Sequence, residues 1–185
     1  MEVRETELPG VLILKPARHG DARGFFTESW SRRTMEAAGL DIEFVQDNMS
    51  LSREAGTIRG LHYQSQPHAQ AKLVSCSRGS ITDVAVDIRN GSPTYGQSVS
   101  VDLSFENGLQ LFIPDGFLHG FVAREPDTIV QYKVTGFYDR DCDGAVLWDS
   151  CGIDWRLDGA PVVSDKDAAA PPFDAFQSPF DWTDA

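Results

Sequence analysis

Short runs in which apolar and polar residues alternate with a period of two, each closed by turn residues, dominate this chain. Ile81–Ile88 is the clearest: Val84, Val86 and Ile88 share one face of a strand, and Asp83, Ala85 and Asp87 share the other. Val99, Val101 and Leu103 alternate with Ser98, Ser100 and Asp102, and Val130, Tyr132 and Val134 mark one face of Ile129–Val134. Val11–Leu14, closed by Pro16, Gln110–Ile113, ending at Pro114-Asp115-Gly116, and Ala145–Trp148 are further strands. Arg59–Val74 reads as two strands, because Pro67 breaks the run and puts a loop between them. RHGDARGFF is a turn rich in Gly and Asp that leads into an aromatic run. The one good helix candidate is Ser31–Ala38, with Ser31 as N-cap and Gly39 as its stop. Beyond Trp155 the pattern fades, and SDKDAAAPPFDAF suggests a surface turn and tail.

Many short strands with one minor helix predict a mainly β protein, an antiparallel jelly-roll barrel. With no repeat and no internal boundary, residues 1–185 are expected to form a single domain, with a C-terminal segment and tail over about 160–185. The hydrophobic fraction of 41% is ordinary for a globular chain, but the net charge of -12 is not neutral ground. It argues against nucleic acid and anionic membrane as partners, both of which need a basic footprint, and leaves room for a small anion held by a local cationic cluster. No apolar run approaches membrane-spanning length, and MEVRETELPG carries no basic-then-apolar signal pattern. Cys76, Cys142 and Cys151, odd in number and without a CxxC pairing, read as free thiols in a reducing compartment, the cytoplasm.

Candidate chemistry concentrates in RGLHYQSQPHAQAKLV, where Arg59, His62 and Lys72 sit among strand residues. A histidine between two cations has chemical meaning when something anionic binds nearby. His119, in the IPDGFLHGF segment, is a second candidate if both imidazoles face the inside of one barrel. A metal is disfavoured: neither histidine belongs to an HxH pair, His19 and His68 stand alone, and Arg59 and Lys72 would repel a cation. Neither a nucleophile elbow nor a cysteine beside a base is present, so covalent catalysis has no support. General acid–base chemistry remains. His62 is the natural base, Tyr132 an acid if it lies opposite, and Lys72 with Arg59 the stabilisers of an oxyanion. Strict alternation places Arg59 and His62 on opposite faces, so a shared pocket requires a bend or bulge, with Gly60 the natural position.

In combination these segments resemble the dTDP-4-dehydrorhamnose 3,5-epimerase family of cupin-like sugar-nucleotide epimerases. The matching stretches, in order from about Val11 to Pro171, include DARGFFTESW, FVQDNMSLS, TIRGLHYQ, AQAKLV, DVAVDIRNGSPTYG, IPDGFLHGF, QYKVTGFY and SDKDAAAP. The resemblance implies a jelly-roll homodimer, without metal or other cofactor, that inverts carbons 3 and 5 of a thymidine-diphosphate 4-ketosugar. It implies that His62 is the base, with Asp167 completing its dyad, and that Tyr132 is the acid on the other sugar face. Lys72 would hold the enolate oxygen, and Arg59 and His119 would bind sugar and phosphates. Arg23, Glu28, Gln46, Asp47 and Asn48 match nucleotide-contact segments, some reaching the partner subunit's ligand, and Asp143 and Lys166 match further contact positions. The chain departs from the family pattern at Asp143, at Ala71 and in a shortened CGIDWRLDGAPVV segment.

Overall fold

The computed structural model describes residues 1–183. Alternating segments become strands because each can bury one face, and here they pair into two antiparallel sheets. The chain runs β1 (Glu2–Glu5), β2 (Leu12–Lys15), β3 (Arg18–Asp21), β4 (Gly24–Thr27), α1 (Arg32–Ala37), β5 (Gln46–Ser52), β6 (Ile58–Gln64), β7 (Lys72–Arg78) and β8 (Ser80–Asp87). It continues with β9 (Ser98–Ser104), β10 (Gln110–Ile113), β11 (Phe117–Ala123), β12 (Thr128–Val134), β13 (Asp143–Ala145), α2 (Asp165–Ala168) and a 3-10 turn at Phe173–Ala175. One sheet has the order β1-β2-β10-β7-β12-β5 and the other β13-β6-β11-β8-β9, while β3 and β4 form a separate hairpin. This is the jelly roll that the period-two pattern predicts.

Three apolar layers hold it together. Between the sheets, Val74, Ile81, Ala85, Leu103, Leu111 and Val130 are wholly buried, together with Phe121. The outer face of the five-stranded sheet (Ile58, Val84, Val86, Leu118, Val122) is covered by Val146, Trp155 and Phe180. On the far side, Leu14, Leu73 and Phe112 are capped by Met35 of α1. Each fully buried Val, Leu, Ile, Phe or Met among them contributes about 1.5–3 kcal/mol.

Several expectations need correction. The stretch after Trp155 is no loose tail: Phe173, Phe176 and Phe180 pack on the sheet, and SDKDA winds into α2 with Asp167 buried. RHGDARGFF is a hairpin rather than only a turn, with Gly24 at φ 131 where the chain leaves the turn. The strand expected at Ala145–Trp148 lies earlier, at Asp143–Ala145; beyond it Val146 still exchanges backbone hydrogen bonds with Leu61 at 2.9 and 3.2 Å. Besides that hairpin, three strands lie where the pattern predicts none: β1, β5 and β11. The helix forms as read, with Ser31 Oγ accepting from the Thr34 amide and Gly39 at φ 82 just past its end.

Candidate active site

A cavity of about 440 Å³ opens at one end of the barrel, and Arg59, His62, Lys72, His119, Tyr132 and Asp167 all line it. Five strands or helices deliver these six side chains. Strand β6 supplies Arg59 and His62, and it can supply both because its pairing with β11 slips by one residue: His119 faces His62, yet Phe121 faces Arg59. The extra residue of β6 is the bulge that strict alternation called for. Gly60 makes it possible at φ 126, and a Cβ there would come within 2.7 Å of the Gly120 Cα and 2.8 Å of the His119 carbonyl.

Asp167 arrives from a hundred residues away along a backbone track. The Val162 carbonyl accepts from the Ile58 amide at 2.9 Å, and the Val162 amide donates to the Gly56 carbonyl at 3.1 Å, so the segment runs beside β6. Ser164 then caps α2 by accepting from the Asp167 amide at 3.2 Å. Asp167 Oδ1 lies 2.7 Å from His62 Nε2, and Oδ2 accepts from the Gly60 amide at 3.1 Å. Burial pushes the Asp167 carboxyl up, but the His62 contact, with the Gly60 and Ser164 hydrogen bonds, outweighs it and leaves the group below its ordinary range. A carboxylate on Nε2 favours the tautomer that carries its proton there, which leaves Nδ1 of His62 with a free lone pair.

His119 makes a second pair of this kind, its Nε2 lying 2.7 Å from Oδ1 of the fully buried Asp83. Burial lowers the His119 imidazole, although Asp83 pulls the other way, so the ring is neutral and Nε2–H donates to the carboxylate. On the facing sheet, burial raises the Tyr132 phenol against a small opposing effect of Arg59, which keeps its proton in place. Burial also brings the Lys72 ammonium down to about 8, with the Asp83 and Asp143 carboxylates resisting. Arg59 is pinned by Nη2 donating to the Leu51 carbonyl at 2.9 Å and Nε to Ser52 Oγ at 3.3 Å.

The other predicted contact residues divide. Lys166 lines the cavity and donates at 2.5 Å to Asp143, which is not itself among the lining residues. Arg23 and Glu28 do not reach it. Arg23 sits exposed at the tip of the β3–β4 hairpin, paired with Asp21 at 2.5 Å, and Glu28 accepts from Thr34 Oγ1 at 2.6 Å. Gln46 Nε2 donates to Asn48 at 2.8 Å, whereas Asp47 turns outward to Lys133 at 2.8 Å. Sequence reasoning missed Asp83, although an acid within an otherwise apolar run such as ITDVAVDI is the available signal. It also missed Ser50, whose buried Oγ lines the cavity and has no hydrogen-bond partner among the described residues. Among the described residues, no group of three or more His, Cys, Asp or Glu side chains is gathered as a metal site requires. No described helix is long and apolar enough to cross a membrane, and all three cysteines are free thiols.

Such an arrangement can hold a negative charge inside the barrel between a base and an acid, and known proteins carry the same scaffold. The family model described as dTDP-4-dehydrorhamnose 3,5-epimerase matches residues 5–175. A relative of that name from Salmonella typhimurium is 49% identical over 177 residues, covering 94% of this chain and 96% of its own. The crystal structure of the Bacillus anthracis enzyme of that name, with TDP and PPi bound, superposes with a TM-score of 0.90 at 46% identity, covering 93% of this chain and 99% of that one. A Legionella pneumophila dTDP-6-deoxy-D-glucose-3,5-epimerase in complex with dTDP-4-keto-L-rhamnose gives 0.90 at 43% identity, covering 95% and 94%. With near-complete coverage in both directions, this chain belongs to the dTDP-4-dehydrorhamnose 3,5-epimerase family.

Proposed function

We propose that this protein is a cofactor-independent epimerase that inverts carbons 3 and 5 of dTDP-4-dehydro-6-deoxy-glucose and yields dTDP-4-dehydro-L-rhamnose. One observation carries the reading: a carboxylate-oriented histidine on one sheet and a phenol on the facing sheet share a cavity with a lysine. A hydrogen beside a ketone is acidic only to the extent that the resulting enolate is stabilised. His62 Nδ1 removes that hydrogen, and its electron pair moves through the new carbon–carbon double bond onto the carbon-4 oxygen. The Lys72 ammonium holds the oxygen while the charge is there. Tyr132 then delivers its phenolic proton to the same carbon from the opposite face as the enolate collapses, which inverts the centre. The half-exposed His62 returns its proton to solvent, the tyrosinate takes one up, and the cycle repeats at the second carbon. A placed acid or base accounts for roughly 10²–10⁴ in rate.

Arg59 and His119 bind the sugar and phosphates, and Lys166 with Asp143 guards the rim. The acidic chain poses no obstacle to a diphosphate, since Arg59, Lys72 and Lys166 gather locally. The protein works as a homodimer in the cytoplasm. Arg23 and Glu28, together with Gln46, Asp47 and Asn48, meet the nucleotide at a site that two protomers complete. Supporting this, Arg23 and Glu28 stand outside their own cavity, Phe26 of the hairpin is 70% exposed, and the outward face of β5 carries Met49 at 69% exposure.

The test is incubation of the dTDP-4-ketosugar with the protein in deuterated water. Deuterium at carbons 3 and 5 is the expected result. Label at one carbon alone reduces the activity to a single-site epimerase, and no label leaves only a sugar-nucleotide-binding jelly roll.

A further inference from the structure

Asp83 is used by nothing in the mechanism above, yet it is wholly buried one strand away from the chemistry. Oδ1 holds His119 Nε2, while Oδ2 has no hydrogen-bond partner among the described residues. An unsatisfied carboxylate oxygen in a protein interior costs free energy unless another charge compensates it. The strand pairing places it: Asp83 faces Phe121 and Ala85 faces His119, so Asp83 and His119 share the barrel-facing side of adjacent strands. Across the barrel stands Lys72, the first residue of β7.

Sorting the charges around Lys72 isolates the acid that can serve it. Arg59 and His62 approach from β6, His119 from β11 and Tyr132 from β12, and none of these offers a negative charge in the resting state. Three carboxylates remain among the described residues. Asp167 of α2 is taken by His62 and the Gly60 amide, and Asp143 of β13 by Lys166. Asp83 of β8 alone combines complete burial with an oxygen to spare.

We propose that Asp83 is a positioning residue for the reaction, a buried counter-charge that keeps Lys72 an ammonium while His119 pins the carboxylate in place. It touches no reacting atom and acts through Lys72. The balance is delicate because burial alone drives the lysine toward its neutral form, and the Asp83 carboxylate opposes that drive most strongly. A neutral amine has much less to offer a developing enolate, so without Asp83 the enzyme fails first in alkaline buffer. The inference rests on the reading of Lys72 as the cation that holds the enolate.

The experiment is an NMR titration of the Lys72 ε-carbon in lysine-labelled protein without substrate, with the signal assigned by its loss in Lys72→Arg. In Asp83→Asn the midpoint is expected to fall by about one to three pH units. The alkaline limb of kcat falls with it, so activity relative to wild type is lost steeply at high pH and largely kept in acid. An unchanged midpoint, or the same fractional loss at every pH, overturns the proposal. If Asp83→Asn does not fold, His119→Leu supplies the second arm: with no donor left for it, Asp83 Oδ1 is free toward Lys72, and the midpoint rises; a midpoint that stays or falls overturns the assignment. Because the titration uses no substrate, its failure is distinguishable from that of the epimerase reading, which fails if the wild type incorporates no deuterium.

Discussion

Two histidine–aspartate pairs stand side by side in this barrel with the same 2.7 Å contact between Nε2 and a carboxylate oxygen, and they are suited to different tasks. In the first, the His62 side chain is 32% exposed, and its aspartate has both oxygens occupied. In the second, His119 is 8% and Asp83 0% exposed, and one carboxylate oxygen is left over. A ring that must lose and regain protons needs a route to water and a partner already committed to it. A ring that must stay neutral is served by burial. The pairing is common to both, so in the proposed mechanism it is environment that separates their roles.

Removing each carboxylate separates the two. Asp167→Asn takes away the group that fixes the His62 tautomer, and activity is expected to fall by about 10²–10⁴. That loss should be similar across the pH range, unlike the alkaline loss expected of Asp83→Asn; steady-state kcat measured over pH for both variants makes the check. If the two variants lose activity in the same pH-dependent way, the distinction between the pairs collapses. A smaller effect comes from the hinge that joins them. In Gly60→Ala the new Cβ meets the Gly120 backbone and the His119 carbonyl at a positive φ. A stability loss of about 1–3 kcal/mol is expected, read as a lower Tm, together with reduced kcat because both imidazoles shift. Unchanged Tm and kcat would show that the close packing of Gly60 on Gly120 is not needed to bring the pairs together.

Much of this was legible beforehand, for a physical reason. Strands β9 and β12 bury one face each, so period two is written in their residues, and Ser31 and Gly39 mark the ends of α1 through local hydrogen bonding. Even the bulge at Gly60 followed from requiring Arg59 and His62 to share a face. What escaped were places where the usual rule is inverted. In β5 the polar Gln46, Asn48, Ser50 and Ser52 turn inward, while Asp47, Met49 and Leu51 face out, so no core-facing stripe announces a strand. Strand β8 hides Asp83 in the opposite way: both faces are buried, and an acid on the less apolar one reads as solvent-facing. Asp167 was reachable through the family resemblance alone, since its approach to His62 depends on the backbone track through Val162, which local pattern does not encode. Phe173, Phe176 and Phe180 show no strand alternation and lie among Pro171, Pro172 and Pro179, so a packed C-terminal cover resembled a tail.

In the proposed mechanism proton removal and proton return belong to different sheets, and label exchange in deuterated water reads both steps at once. His62→Ala and Tyr132→Phe are incubated with the dTDP-4-ketosugar beside the wild type, and both the position of the label and the configuration of each carbon are read by NMR. No label and no inversion are expected in His62→Ala, with dTDP affinity unchanged within a few-fold, and label without inversion is expected in Tyr132→Phe. Wild-type exchange in His62→Ala, or full inversion in Tyr132→Phe, would contradict that mechanism.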